Sequence, residues 1–176
     1  MSKTYEIDPH HTEFGFAARH MIVTNVRGTF SDFSGSFNYD PANPTAFSAE
    51  VAIKSASITT RNEQRDTHLK SADFLDAEKF PELTFKTTRV EAKGDSLVLH
   101  GDLAIRGVTK EIALPVEVNG PVTDPYGLLR VGIEGSTKIN RQDWGVAFNG
   151  KLATGDLIVS DEIKLTIAVE GTRKAE

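Results

Sequence analysis

The sequence predicts an all-β, antiparallel fold of eight or nine strands, closed as either a sandwich or a barrel. Three observations carry this. Apolar and polar residues alternate along most of the chain, short segments rich in Gly, Pro, Asn and Asp separate the alternating runs, and one stretch alone reads as helix.

Composition sets the outer limits. The chain has 176 residues, enough for one domain (1–176) that buries a core without disulfides or metals as staples. It has no cysteine, which excludes a disulfide framework, thiolate zinc sites and cysteine nucleophiles. Its formal charge is −5 with Lys and Arg scattered among acids, so it offers no basic stripe and nucleic acid is not an expected partner. No run approaches membrane-spanning length, and Met1-Ser2-Lys3-Thr4-Tyr5-Glu6 has no apolar leader core. The expectation is a cytoplasmic protein, or a periplasmic one if a leader has been removed.

The elements follow in order. Tyr5-Glu6-Ile7 is a short strand ended by Asp8-Pro9, where Asp8, His11 and Thr12 are turn formers. From Glu13 to Arg19 the residues alternate, with Phe14, Phe16 and Ala18 on one face. A long extended stretch from Val26 to Tyr39 carries Phe30, Phe33 and Phe37, with Gly28 and Gly35 as bend or bulge points. Asp40-Pro41-Ala42-Asn43-Pro44 is a loop, after which Phe47, Ala49, Val51 and Ile53 share a face. Leu83 and Phe85 resume the alternation, followed by Leu97, Leu99, Leu103 and Ile105 and a turn at Arg106-Gly107. Ile112, Leu114, Val116 and Val118 form the next set, with Pro115 on the opposite parity, where it requires an edge or a bulge. Gly120-Pro121 and Asp124-Pro125-Tyr126-Gly127 read as loop. Leu129 to Ile139 is a strand ending at Asn140-Arg141-Gln142-Asp143-Trp144-Gly145, and Ile163, Leu165, Ile167 and Val169 mark the last strand.

The exception to the strand pattern is the stretch from Thr60 to Pro81. Thr60 and Glu63 have the spacing of a capping box, predicting a short helix from Arg61 to about Ser71. Leu69 is its only large apolar residue among Arg61, Arg65, Asp66, His68 and Lys70, and Phe74, Leu75 and Phe80 follow closely. A charged collar beside an apolar patch suits a mouth or a lid. Ala18, Ala49, Gly101, Gly135 and Thr137 belong to the inward set. An eight-stranded barrel lined by such small residues has room for one small apolar ligand.

Eight stretches, in order, resemble the YceI-like family. They are Asp8, His11 and Thr12; Phe16 with His20-Met21; Val26-Arg27-Gly28-Thr29-Phe30 with Phe33-Ser34-Gly35; and Arg65-Asp66-Thr67-His68-Leu69 with Asp73-Phe74. The others are Phe80-Pro81 with Thr84-Phe85; Gly101-Asp102-Leu103; Arg106-Gly107-Val108-Thr109-Lys110; and Asn140-Arg141-Gln142-Asp143-Trp144-Gly145. The resemblance implies a lipocalin-like, antiparallel eight-stranded barrel with one short helical segment near residues 61–80. It also implies an apolar pocket for a long isoprenoid or acyl lipid, of the polyprenyl or quinone-precursor kind, held for storage, shielding or transport. No cofactor and no catalysis are implied, and a homodimer is. Phe74-Leu75 departs from the family, where a second aromatic often follows the first, and alters the pocket's shape.

Phe16, Phe30, Leu69, Phe74, Phe85, Leu103 and Trp144 are ordinary core by default, and the resemblance alone raises them to ligand contacts. Arg65, Asp66 and His68 form either a collar that bonds a lipid head group or a set of ties that pins the helix over the barrel end. Arg19 either reaches a head group or is a solvated edge charge, and the resemblance adds His20 to the ligand-binding set. Arg141 and Asp143 are expected to pair at a strand end. His10 and His11 are adjacent on extended chain and point apart, so no metal site is expected and His11 is assigned to the first turn. Two other readings stand beside lipid binding: an enzyme acting on such a lipid with His68 as base oriented by Asp66, and a filled barrel with a structural role.

Overall fold

The computed structural model describes residues 3–155 and 158–176. Its strands are β1 (Thr4–Ile7), β2 (Glu13–His20), β3 (Thr24–Phe30), β4 (Phe33–Asn38), β5 (Ser48–Lys54), β6 (Ile58–Thr59), β7 (Glu82–Lys93), β8 (Ser96–Ile105), β9 (Val108–Thr123), β10 (Leu128–Asn140) and β11 (Val159–Lys174), with one helix, α1 (Glu63–Lys70). The circuit β1-β4-β5-β7-β8-β9-β10-β11 returns to β1 and closes an eight-stranded antiparallel barrel. β11 is long enough to pair with β1 at its end and β2 at its start, and β2-β3-β6 continues the wall.

Three walls of the barrel are broken strands. The stretch from Val26 to Tyr39, expected to bend or bulge at Gly28 and Gly35, instead divides at Ser31-Asp32, where Ser31 N donates to Ser57 O (3.2 Å) and Lys54 N to Asp32 O (2.9 Å). β1 and β2 part at Asp8, whose carboxylate accepts from His10 N, and β5 and β6 part at Ser55–Ser57. Three neighbouring breaks make a corner that turns the sheet onto itself. β9, in contrast, runs through the expected loop at Gly120-Pro121 to Thr123, with a register shift against β10 at Arg130/Gly132.

Paired residues place the charged row Glu50, Lys86, Asp102 and Glu111 outside and the row Val51, Phe85 and Leu103 inside. The β9–β10 ladder stops at the pair Val116/Gly135, so Pro115 sits where β9 leaves β10 and its missing N–H disrupts no ladder there. Below that point β9 pairs with β8 alone and β10 with β11 alone.

The helix starts two residues later than the capping box predicts. Asn62 is the cap, its side chain accepting from Arg65 N at 2.9 Å. Thr60 is drawn elsewhere, its hydroxyl donating to Asp66 Oδ1 at 2.6 Å. No helix among the described residues is long and apolar enough to cross a membrane.

The core lies in two clusters. One holds Tyr5, Phe37, Phe47, Leu97, Val116, Val131 and Val169, at the end of the barrel marked by the β9–β10 turn. The other holds Phe74, Leu83, Ile105, Trp144 and Val146, at the end covered by α1.

Candidate functional site

Between the two clusters lies an apolar cavity of about 140 Å³. The inward faces of Phe14, Phe30, Val51, Phe85, Leu103 and Leu165 border it, and no charged residue among those described does. The volume is on the scale of the ~150 Å³ apolar void that takes a benzene ring and below the roughly 300 Å³ at which drug-sized pockets begin. In this state it fits one ring or one branched isoprene-sized group. Gly101 sets its shape, because a Cβ there would run into the Phe85 ring and push it across the cavity.

The end at the β9–β10 turn is sealed. Tyr5 stacks on Phe37 at 5.3 Å between centroids, and Phe37 on Phe47 at 5.7 Å. Outside them Arg130 gathers three carboxylates: Nε bonds Asp124 Oδ2 at 2.8 Å, and Nη1 bonds Glu170 Oε1 at 2.6 Å and Asp8 Oδ2 at 3.2 Å. The network raises the Arg130 pKa further and holds two acids below their usual range. For Asp8 the leading cause is the hydrogen bond to His11, and for Asp124 the N–H of Leu128. Asp8, His11 and Glu170 place ligand atoms within 4.8 Å of one another, but the Arg130 guanidinium already bridges the two carboxylates. His11 holds the first turn through Asp8 at 3.0 Å.

At the other end a cover crosses the barrel. Leu69 and Phe74 point in against Trp144, Leu83 and Ile105, with Phe74 only 5% exposed. Trp144 is buried in this cluster, its Nε1–H bonding Leu103 O at 2.9 Å. Arg106, in the β8–β9 turn, grips the cover from below, with Nη1 donating to Ala72 O at 2.5 Å and Phe74 O at 2.6 Å.

The predicted site residues divide accordingly. Phe30, Phe85 and Leu103 line the cavity. Leu69, Phe74 and Trp144 belong to the cover and its seat. Phe16 faces inward outside the lining, its ring over Gly28 and 5.9 Å from Phe30.

The polar members are dispersed. Arg65 gives Nε to the Thr60 hydroxyl (2.7 Å) and Nη2 to Thr60 O (2.9 Å), so two of its donors tie the helix to the strand before it. Asp66 is turned the same way. Burial would raise its pKa, but the hydroxyl and N–H of Thr60 prevail and hold it low. His68 pairs with Asp73 at 2.8 Å, not with Asp66, so the arrangement an Asp66-oriented base needs is not formed. The His68 ring stands edge-on to Phe74 and Phe148, at 5.0 and 5.1 Å. Arg19 is exposed, and His20 is half-buried at the end of β2. Arg141 is 4% exposed, its guanidinium bonded to Val146 O, Ser160 O and Val159 O. Its ion-pair partner is Asp161 at 3.3 Å, in place of the expected Asp143.

Three residues escape the sequence reading. Phe148 packs on Phe74 at 5.1 Å from a segment with no strand periodicity, and its only flag is a large aromatic between Gly145 and Gly150. Arg106 looks like a plain turn residue. Lys110 pairs with Leu103, which puts an exposed cation on the inward register of β9 beside the parted seam.

The comparisons with known proteins agree with this geometry. A profile of the YceI-like domain matches residues 5–171. The UPF0312 protein plu2095 of Photorhabdus laumondii is 40% identical over 176 residues, covering 99% of this chain and 88% of that protein. Among solved structures, Burkholderia cenocepacia BcnA superposes with a TM-score of 0.81 at 23% identity, over 93% of this chain and 98% of its own. A polyisoprenoid-binding domain from Saccharophagus degradans, implicated in plant cell wall breakdown, gives 0.71 at 14% identity, over 99% and 100%. At those identities the two structures speak for the fold. The family match covers nearly the whole chain, and a barrel closed at one end, covered at the other and hollow between is the architecture the sequence motifs implied; the chain belongs to the YceI-like family.

Proposed function

We propose that the protein binds a long-chain amphiphilic lipid, an isoprenoid of the polyprenyl or quinone-precursor kind, with its tail in the barrel cavity, for storage, shielding or transport. The observation that carries this is an apolar cavity, bordered by uncharged residues, between two aromatic clusters in a closed barrel. The likeness to a polyisoprenoid-binding domain supports the ligand class. Each buried methylene of a tail gains roughly 0.8 kcal/mol, offset in part by ordering the chain and by association itself.

At about 140 Å³ the cavity takes the first unit of such a tail. Longer tails are accommodated by rotation of Phe30 and Phe85 and by displacement of the Phe74 and Trp144 seat. The tail enters beneath the cover, since the opposite end is plugged by Tyr5, Phe37 and Phe47. The head group stays at the covered end, where Lys110 is the cation on the inward register and His68 stands at the rim.

Mass spectrometry of the organic extract of natively purified protein, against an unrelated protein from the same host, tests the reading. A stoichiometric long-chain lipid is expected. Protein that comes empty and also refuses added prenyl and acyl lipids belongs to the filled-barrel class instead.

A further inference from the structure

The β2–β3 hairpin ends in Met21-Ile22-Val23, exposed by 40%, 57% and 75%. Val23 N bonds His20 O at 3.2 Å, so Met21 and Ile22 are the central residues of a tight turn, with φ of 51° and 62°. A hairpin with both central residues left-handed favours Asn-Gly, and a β-branched residue there is strained. The chain therefore keeps three apolar side chains in water on a backbone that asks for other residues. Strain of that kind points to use.

The surroundings say what the tip meets. Pairing puts Lys164, Ala17 and Arg27 in one row across β11, β2 and β3, on the outer face leading to the tip. Arg61 borders the same shallow groove as Arg27 and Lys164. Arg19, Arg27, Arg61 and Lys164 are all exposed, and none has an ion-pair partner among the described residues. Glu13 is the acid on that groove, while nearby Glu162 is paired with Lys138 and Asp161 with Arg141. An apolar point backed by unpaired cations is complementary to an anionic bilayer surface, with acyl region below and phosphate above. The chain's charge of −5 does not cancel this, because a Debye length of about 8 Å at physiological salt confines the interaction to the local face.

We propose that the Met21–Val23 tip docks the protein onto anionic lipid bilayers, inserting its apolar side chains at the headgroup boundary while Arg27, Arg61 and Lys164 bind lipid phosphates. β2 ends beside the start of β11, at the same end of the barrel as the α1 cover, so docking presents the covered end to the membrane. The purpose of this contact rests on the lipid-binding reading; the contact itself does not.

The test is co-sedimentation of the full chain with vesicles of phosphatidylcholine, with and without phosphatidylglycerol. Uptake of a water-dispersed fluorescent prenyl probe and the mass in solution are measured in parallel. The variant Met21→Asn/Ile22→Gly supplies residues the turn prefers while removing the apolar point, so loss of fold does not confuse the result. Its partition to anionic vesicles is expected to fall about tenfold with probe uptake retained. Arg27→Ala/Lys164→Ala is expected to remove most of the preference for anionic over neutral vesicles. Unchanged partition in the turn variant overturns the proposal, as does wild-type protein that ignores both kinds of vesicle. A dimer that the turn variant splits without altering partition assigns the tip to a second copy and also overturns it. Vesicle binding without probe uptake leaves docking intact and sinks the lipid-binding reading.

Discussion

At the β9–β10 turn, stacked rings of Tyr5, Phe37 and Phe47 and an arginine shared by Asp8, Asp124 and Glu170 close the barrel across strands far apart in sequence. At the opposite end a single segment carrying α1 is laid across the opening. It is held by Arg106, by the Thr60 ties of Arg65 and Asp66, and by a few apolar side chains on Trp144. The first closure comes apart only with the barrel. The second is one local unit resting on few contacts, the kind of element that opens without global unfolding. The difference sets a firmly closed end against a locally held one in a barrel whose strand pairing alone distinguishes neither; under the proposed function they would be floor and entrance.

The comparison can be broken in several ways. The largest effect is expected from Phe85→Arg or Leu103→Arg, which put a charge into the cavity between the two ends. Either should abolish prenyl-lipid uptake, whereas Glu50→Arg on the outer face should leave it unchanged. Equal loading of all three would mean the cavity is not the site. Next is Trp144→Ala, which removes the seat of the cover and should lower stability by about 3–5 kcal/mol in a urea titration. The mutation at the entrance should also speed lipid exchange. Arg106→Ala frees the carbonyls of Ala72 and Phe74. It should cost about 1 kcal/mol globally yet raise amide exchange through residues 71–77 far more than around Tyr5 and Phe37.

The smallest effect concerns acid at the sealed end. Asp8 and Asp124 have native pKa values below the ordinary 3.8. Their contribution is therefore complete above that value and is lost as pH falls through the depressed native values. The thermal midpoint should drop over that range, with a shallower drop in Arg130→Met. An identical acid limb in both proteins would detach the network from the stability of this end.

The inward alternation was legible because the period of two is a property of each strand by itself; Phe85 and Leu103 could be placed on the inward face before their pairing was known. The break between β1 and β2 was legible too, at Asp8-Pro9, whereas those between β3 and β4 and between β5 and β6 were not, since they arise from hydrogen bonds between neighbouring segments, as Ser31 to Ser57 and Lys54 to Asp32 show. The helix was found and its start misplaced for a related reason. Thr60 has the right spacing for a cap, but its hydroxyl is engaged by Asp66 and Arg65, leaving Asn62 to cap. Those same bonds show Arg65 and Asp66 tying the helix to Thr60, an arrangement that no single residue type foretells. Arg141 pairs with Asp161 across the sheet, a partner that sequence proximity could not suggest.

The interrupted ladder between β9 and β10 has a mechanical consequence. A closed barrel normally has its girth fixed by a complete ring of interstrand bonds, so swelling for a guest must sacrifice some of them. Here, among the described residues, the ring is incomplete beyond Val116 and Gly135, toward the end where Trp144 packs under the cover. Spreading the wall there breaks no rung. Under the proposed lipid binding the slot would work as an expansion joint, with the volume at rest the lower limit of what the barrel can hold.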